Sequence, residues 1–125
     1  MTPKTLKIMG ITAALLGMLL TVAIIYYNRS QTIEFASLMP AQLEICGKLV
    51  KESDPKYVTL ANWFVTNKEG WRSSPATYME GQTFSGEGFS ANFYNTGVIV
   101  TYKSGGSWSQ VVNQVEPTEL VNLCD

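Results

Sequence analysis

Residues 8–28, IMGITAALLGMLLTVAIIYYN, carry no charge and lie between Lys7 and Arg29. A helix rises about 1.5 Å per residue and a bilayer's hydrocarbon core is about 30 Å thick, so roughly twenty such residues span it. In lipid the segment must be helical, because each backbone N–H and C=O has to be satisfied internally. Tyr26 and Tyr27 suit the headgroup level, where a ring sits in apolar surroundings with its hydroxyl in water. A cleaved secretory signal would have an apolar core of about 7–15 residues and small residues at its cut site. This run is longer and ends in Ile24-Ile25-Tyr26-Tyr27-Asn28-Arg29, with bulky side chains where small ones are needed. Lys4, Lys7 and the α-amino group favour a cytoplasmic N-terminus, a bias that Arg29 opposes. The expected organisation is a cytoplasmic N-terminus (1–7), a transmembrane helix in contact with the lipid bilayer (8–28) and an extracytoplasmic domain (29–125).

Beyond the helix lie about a hundred residues, enough for one domain with a core of moderate size. Two of the chain's nine Lys and Arg precede the helix, so seven face all ten Asp and Glu in the domain, which is mildly acidic. No basic patch points to nucleic acid. The chain has no histidine, which removes the commonest general base and metal ligand. Cys46 and Cys124 bracket the domain, and in an oxidising compartment such a pair reads as a disulfide. Two buried free thiols are the alternative.

In residues 29–52, RSQTIEFASLMPAQLEICGKLVKE, the apolar positions Phe35, Met39, Leu43, Cys46 and Val50 fall three or four apart. That spacing predicts an amphipathic helix with one face to bury, kinked or restarted at Pro40 and stopped by Ser53-Asp54-Pro55. Tyr57–Thr66, YVTLANWFVT, is rich in β-branched and aromatic residues and reads as a strand ending at the Asn67-Lys68-Glu69-Gly70 turn. Residues 71–88 read as a loop with one short strand at Ala76–Met79. Phe89–Tyr94, Val98–Lys103 and Ser107–Val112 form three strands joined by short Gly-containing turns, a meander with one apolar face. The expected fold is α+β: a long N-terminal helix, its first half transmembrane, packed on an antiparallel sheet and stapled by one disulfide.

Catalytic motifs are weak. Ser53-Asp54-Pro55-Lys56 fits the Ser-x-x-Lys pattern of acyl-transfer enzymes but lacks the companion elements, and it reads as a helix-stop turn. Glu80 and Glu87 resemble a glycosidase carboxylate pair only by residue type, and solvated loop acids fit them better. With no histidine and both cysteines committed, no metal or cofactor site is expected. The chain is read as no enzyme. Trp63, Trp71 and Trp108 are expected in the core, and Trp71, in its polar loop, is the one best placed to serve as a partner anchor if exposed.

Tyr26, Arg29, Ser30, Gln31, Glu34, Ser37 and Leu38 follow the pattern Tyr-x-x-Arg-Ser/Ala-Gln-x-x-Glu-Ala-x-Ser-Leu. Near the C-terminus stand Trp108, Pro117-Thr118-Glu119-Leu120 and Cys124. In both places the chain resembles type IV pilins, whose long helix is apolar in its first half and packs on an antiparallel sheet in its second. The chain departs from that family at its leader, where Gly10 is followed by Ile11-Thr12-Ala13-Ala14-Leu15 and the acidic docking residue is absent. A helix cut after Gly10 is also short before Arg29 by about three turns. The family's disulfides usually close a loop within the C-terminal region, where this chain has Ser109 near the place of the first cysteine. The resemblance implies a bacterial inner-membrane protein with its domain in the periplasm, a pilin-like structural or accessory subunit of an envelope filament or secretion system, with the departures pointing to an unprocessed or non-polymerising one. A second reading is a tethered immunity protein or inhibitor that neutralises an envelope-targeting toxin or enzyme. Its exposed contact residues would be Trp71, Arg72, Tyr78, Glu80, Phe84 and Glu87, and its partner a protein in either reading.

Overall fold

The computed structural model describes residues 2–27 and 29–124. Asn28, the last residue of the 8–28 span, lies outside the described residues, as does the side chain of Tyr27 assigned to the headgroup level. Helix α1 (Pro3–Tyr27) is exposed along its described length and is long and apolar enough to cross a membrane. It ends there. The Arg29 N–H still donates to the Tyr26 carbonyl at 3.3 Å, but from there the chain leaves the helix: Gln31 forms an antiparallel bridge with Trp71, and the Ile33 N–H donates to the Lys68 carbonyl at 2.8 Å.

The helix expected over 29–52 therefore does not form as one element. A single helical turn, α2 (Phe35–Leu38), gives way at Met39, whose ψ of 133° is the extended geometry favoured before Pro40. The chain then makes a hairpin of β1 (Gln42–Ile45) and β2 (Lys48–Lys51). Its two-residue turn holds Cys46 at φ 55° and Gly47 at φ 75°, the left-handed pair a tight hairpin needs. Leu43 and Ile45 are buried between exposed Gln42 and Glu44, a two-residue alternation overlain by the helical spacing.

The expected strand over Tyr57–Thr66 is a helix, α3 (Pro55–Thr66), and Ser53-Asp54-Pro55 begins it instead of stopping the one before. The Asp54 carboxylate accepts from the Lys56 N–H at 2.8 Å, and Pro55 occupies the first turn, where no N–H is needed. Tyr57, Leu60, Trp63 and Phe64 all lie on its buried side. That stripe, three or four residues apart, outweighs the β-propensity of the individual residues.

After α3 come β3 (Arg72–Ser73), β4 (Gln82–Gly86), β5 (Phe89–Tyr94), β6 (Gly97–Ser104) and β7 (Ser107–Asn113). The C-terminal meander forms as the alternation implies; Ala76–Met79 is not a strand. Seven strands make one antiparallel sheet in the order β2-β1-β4-β5-β6-β7-β3. The fold is α+β, with α2 and α3 covering one sheet face in place of a continuation of α1. Phe35 is the hub of the aromatic core, its ring centroid 4.7 Å from Trp71, 5.3 Å from Phe64 and 5.4 Å from Tyr102. Cys46 and Cys124, 78 residues apart, are joined in a disulfide that ties the C-terminal tail to the β1–β2 turn. In the chain-entropy picture a loop of that length stabilises by about 4.5 kcal/mol.

Candidate functional site

The six residues expected to be exposed and to meet a partner do not converge. Trp71 is fully buried and its indole N–H donates to the Asn67 carbonyl at 2.8 Å, while Phe84 lies in the core against Phe93. These two corrections share one cause: each lies on the inward face of the sheet or its flank, where a large ring adds apolar area to the core. Trp63 is in the core as expected, whereas Trp108 is 59% exposed. Arg72 is exposed on the edge strand β3, and Glu80 and Glu87 lie near opposite ends of β4.

Tyr78 belongs to a strap, residues 74–80, that leaves β3 at one edge and crosses the outer sheet face to reach β4. Each strand beneath it supplies a polar side chain. Gln110 of β7 donates to the Ser74 carbonyl at 3.2 Å and to that of Ala76. The Tyr78 hydroxyl donates to the Ser90 carbonyl at 3.1 Å and lies 2.8 Å from the Thr101 hydroxyl of β6. Asn92 of β5 holds Met79 through both its amide groups. The strap covers a face that would otherwise be solvated, so Asn92 and Ile99 are both buried.

The register gives the sheet two distinct ends. Phe89 pairs with Tyr102 and Gly86, so the β4–β5 and β6–β7 turns share one end, while Tyr94 pairs with Gly97 at the other. The tether enters from the β6–β7 end: Gln31 runs antiparallel to Trp71, and β3, which follows Trp71, runs antiparallel to β7. At the opposite end, a cleft of about 330 Å³ opens between the β4 and β5 termini and the C-terminal tail. Gly81, Phe93, Tyr94, Pro117 and Val121 line it together with Glu116, and Glu80 and Glu119 adjoin it in sequence. A Cβ on Gly81 would stand 2.1 Å from the Phe93 carbonyl oxygen, so only glycine fits where the two strands meet.

The cleft combines aromatic and proline surface with a carboxylate. It offers acceptors and apolar area, and among the described residues no group of His, Cys, Asp and Glu could hold a metal ion. The tail forming one wall is fixed by Leu120, which is buried, and by Cys124. The sequence marked Pro117-Thr118-Glu119-Leu120 only through a resemblance; nothing in its pattern told that the tail would lie against Tyr94. Away from the cleft, the Tyr57 phenol is raised by burial, then by nearby Glu52, and its hydroxyl donates to the Pro40 carbonyl at 2.7 Å. Comparison with protein-family models, curated proteins and solved structures gives no match.

Proposed function

We propose that the chain is a single-pass, non-catalytic binding protein of the bacterial inner membrane, with its domain in the periplasm and its cleft end turned away from the lipid. The partner is a protein presenting a basic segment, and the role is that of an immunity protein or inhibitor acting on an envelope-targeting toxin or enzyme. The observation that supports this reading is the direction of the tether, which comes to Gln31 from the β6–β7 end, while the cleft opens at the other end of one disulfide-stapled sheet. A pocket of a few hundred Å³ with apolar walls and a few polar groups suits an inserted side chain. Tethering keeps such a binder concentrated where an attacker of the envelope must act.

Cells expressing the full chain should survive challenge by a toxin-producing competitor, and Glu116→Lys combined with Tyr94→Ala should lower survival at least about tenfold, the equivalent of 1.4 kcal/mol of binding. Equal survival with and without the chain would reject the immunity role.

The alternative, a pilin-like structural or accessory subunit, draws on the apolar helix and the sheet. The residues matching the pilin junction are spread over the end of α1, an extended stretch and α2, so the continuous helix that reading requires is interrupted after Tyr27. N-terminal sequencing of the mature protein tests it, since a filament subunit would begin after Gly10.

A further inference from the structure

We propose that the β6–β7 hairpin tip is a second membrane contact, with Trp108 seated among the lipid headgroups of the bilayer that α1 crosses. This rests on the reading of α1 as a membrane span. Three residues, 28–30, separate Tyr27 from the bridged Gln31. Fully extended, that connection reaches at most about 14 Å. Gln31 is bridged to Trp71, which stands one residue past the Arg72–Val112 pair and so level with Asn113 of β7, and it shares one shallow depression with Tyr102 and Ser109. From Asn113 the hairpin runs on through Ser109, Trp108 and Ser107 to its Gly105-Gly106 turn, in the direction from which the tether comes. Seven residues of strand cover about 23 Å, more than the tether can span, so the tip reaches past the level at which α1 ends. The tip is thereby brought to the lipid surface by the chain's own connectivity.

The chemistry of the tip fits that position. Trp108 is the exposed member of the three tryptophans, at 59% against 3% or less for the other two. It pairs with Lys103 across the hairpin, and the turn between them is Ser104-Gly105-Gly106-Ser107, small and uncharged. An indole with a neighbouring lysine is the combination enriched where protein meets headgroups. Glu87, in the adjacent β4–β5 turn, offsets one positive charge at this end, so the tryptophan carries the contact and zwitterionic lipid suffices.

The test uses the full chain reconstituted in phosphatidylcholine vesicles, with a fraction of the lipid brominated near the glycerol backbone. Tryptophan emission should be quenched by the brominated lipid, and Trp108→Phe should abolish that quenching, since Trp63 and Trp71 are buried in the domain. Aqueous iodide should reach Trp108 in detergent and lose access in vesicles. A protein that floats with the vesicles but is quenched equally with and without Trp108 would overturn the docking and leave the membrane span standing. A protein that fails to float would overturn both. Iodide protection that rises with protein concentration, without lipid quenching, would assign the tip to contact between two copies and overturn the lipid contact.

Discussion

The side-chain amide of Asn92 pairs with Met79 as a neighbouring strand would: the Met79 N–H donates to Oδ1 at 2.9 Å and Nδ2 donates to the Met79 carbonyl at 3.0 Å. Asn92 is 1% exposed, so its amide has no ready substitute in water. Replacing it with Ala should cost about 1–3 kcal/mol, the range for unmaking a buried hydrogen-bonding group. The strap over 74–80 should then become the first site of limited proteolysis. Urea unfolding together with mapping of the earliest tryptic or chymotryptic cuts checks both outcomes.

Trp71 and Trp108, one buried and one exposed, should respond very differently to truncation. Trp71→Ala empties the centre of the aromatic core and should lower stability by about 3–5 kcal/mol. Trp108→Ala removes an exposed ring and should change it by no more than about 0.5 kcal/mol. Thermal unfolding of the two variants in parallel measures the contrast, and equal losses would show that Trp108 packs against the strap.

Reduction of the Cys46–Cys124 bond should loosen the cleft as well as the fold. Cys46→Ser, Cys124→Ser and the double variant should lose similar stability, up to about 4.5 kcal/mol, because each opens the same loop. Residues 116–121 form one wall of the cleft, so their amide protons should exchange faster in all three variants. Hydrogen exchange read by mass spectrometry resolves that segment.

Asp54 caps α3 and Tyr57 sits on its first turn, which ties the helix start to two separate tests. Asp54→Ala should cost about 1 kcal/mol through loss of the cap. The phenol of Tyr57 is raised above its ordinary value of 10.0 by burial and by Glu52, so the folded state holds that proton more tightly than the unfolded chain. Its contribution is complete below the unfolded value and is lost as pH rises through the raised folded one. Tyr57→Phe should therefore flatten the alkaline limb of the stability curve. It should also cost about 1 kcal/mol at neutral pH, from the lost hydrogen bond to Pro40.

Much of the sheet was legible in the chain because the alternation in Phe89–Tyr94 and Val98–Lys103 agrees with short glycine turns on both sides. The disulfide was legible from two cysteines bracketing a small domain. The region from Arg29 to Thr66 was not, because local signals compete there. Leu43 and Ile45 satisfy a strand's alternation while Phe35, Met39, Leu43, Cys46 and Val50 mimic a helix stripe, and every one of the latter except Cys46 and Val50 is deeply buried either way. Likewise Asp-Pro ends one element as readily as it starts the next, and only the spacing of Tyr57, Leu60 and Phe64 separates the two. The site was the least visible part. Trp71, expected in the core by type, was also weighed as a partner anchor because its neighbours Gly70, Arg72 and Ser73 are polar or small. The cleft, in turn, depends on a tail whose partners are over twenty residues away in sequence.

The shortness of the connection at residues 28–30 has a consequence for reach. A domain of about a hundred residues has a radius of gyration near 13 Å, so with α1 embedded its far pole stands only about 40–50 Å above the lipid. A post that short gives little swing. Whatever this protein grips must come down to the membrane to be gripped.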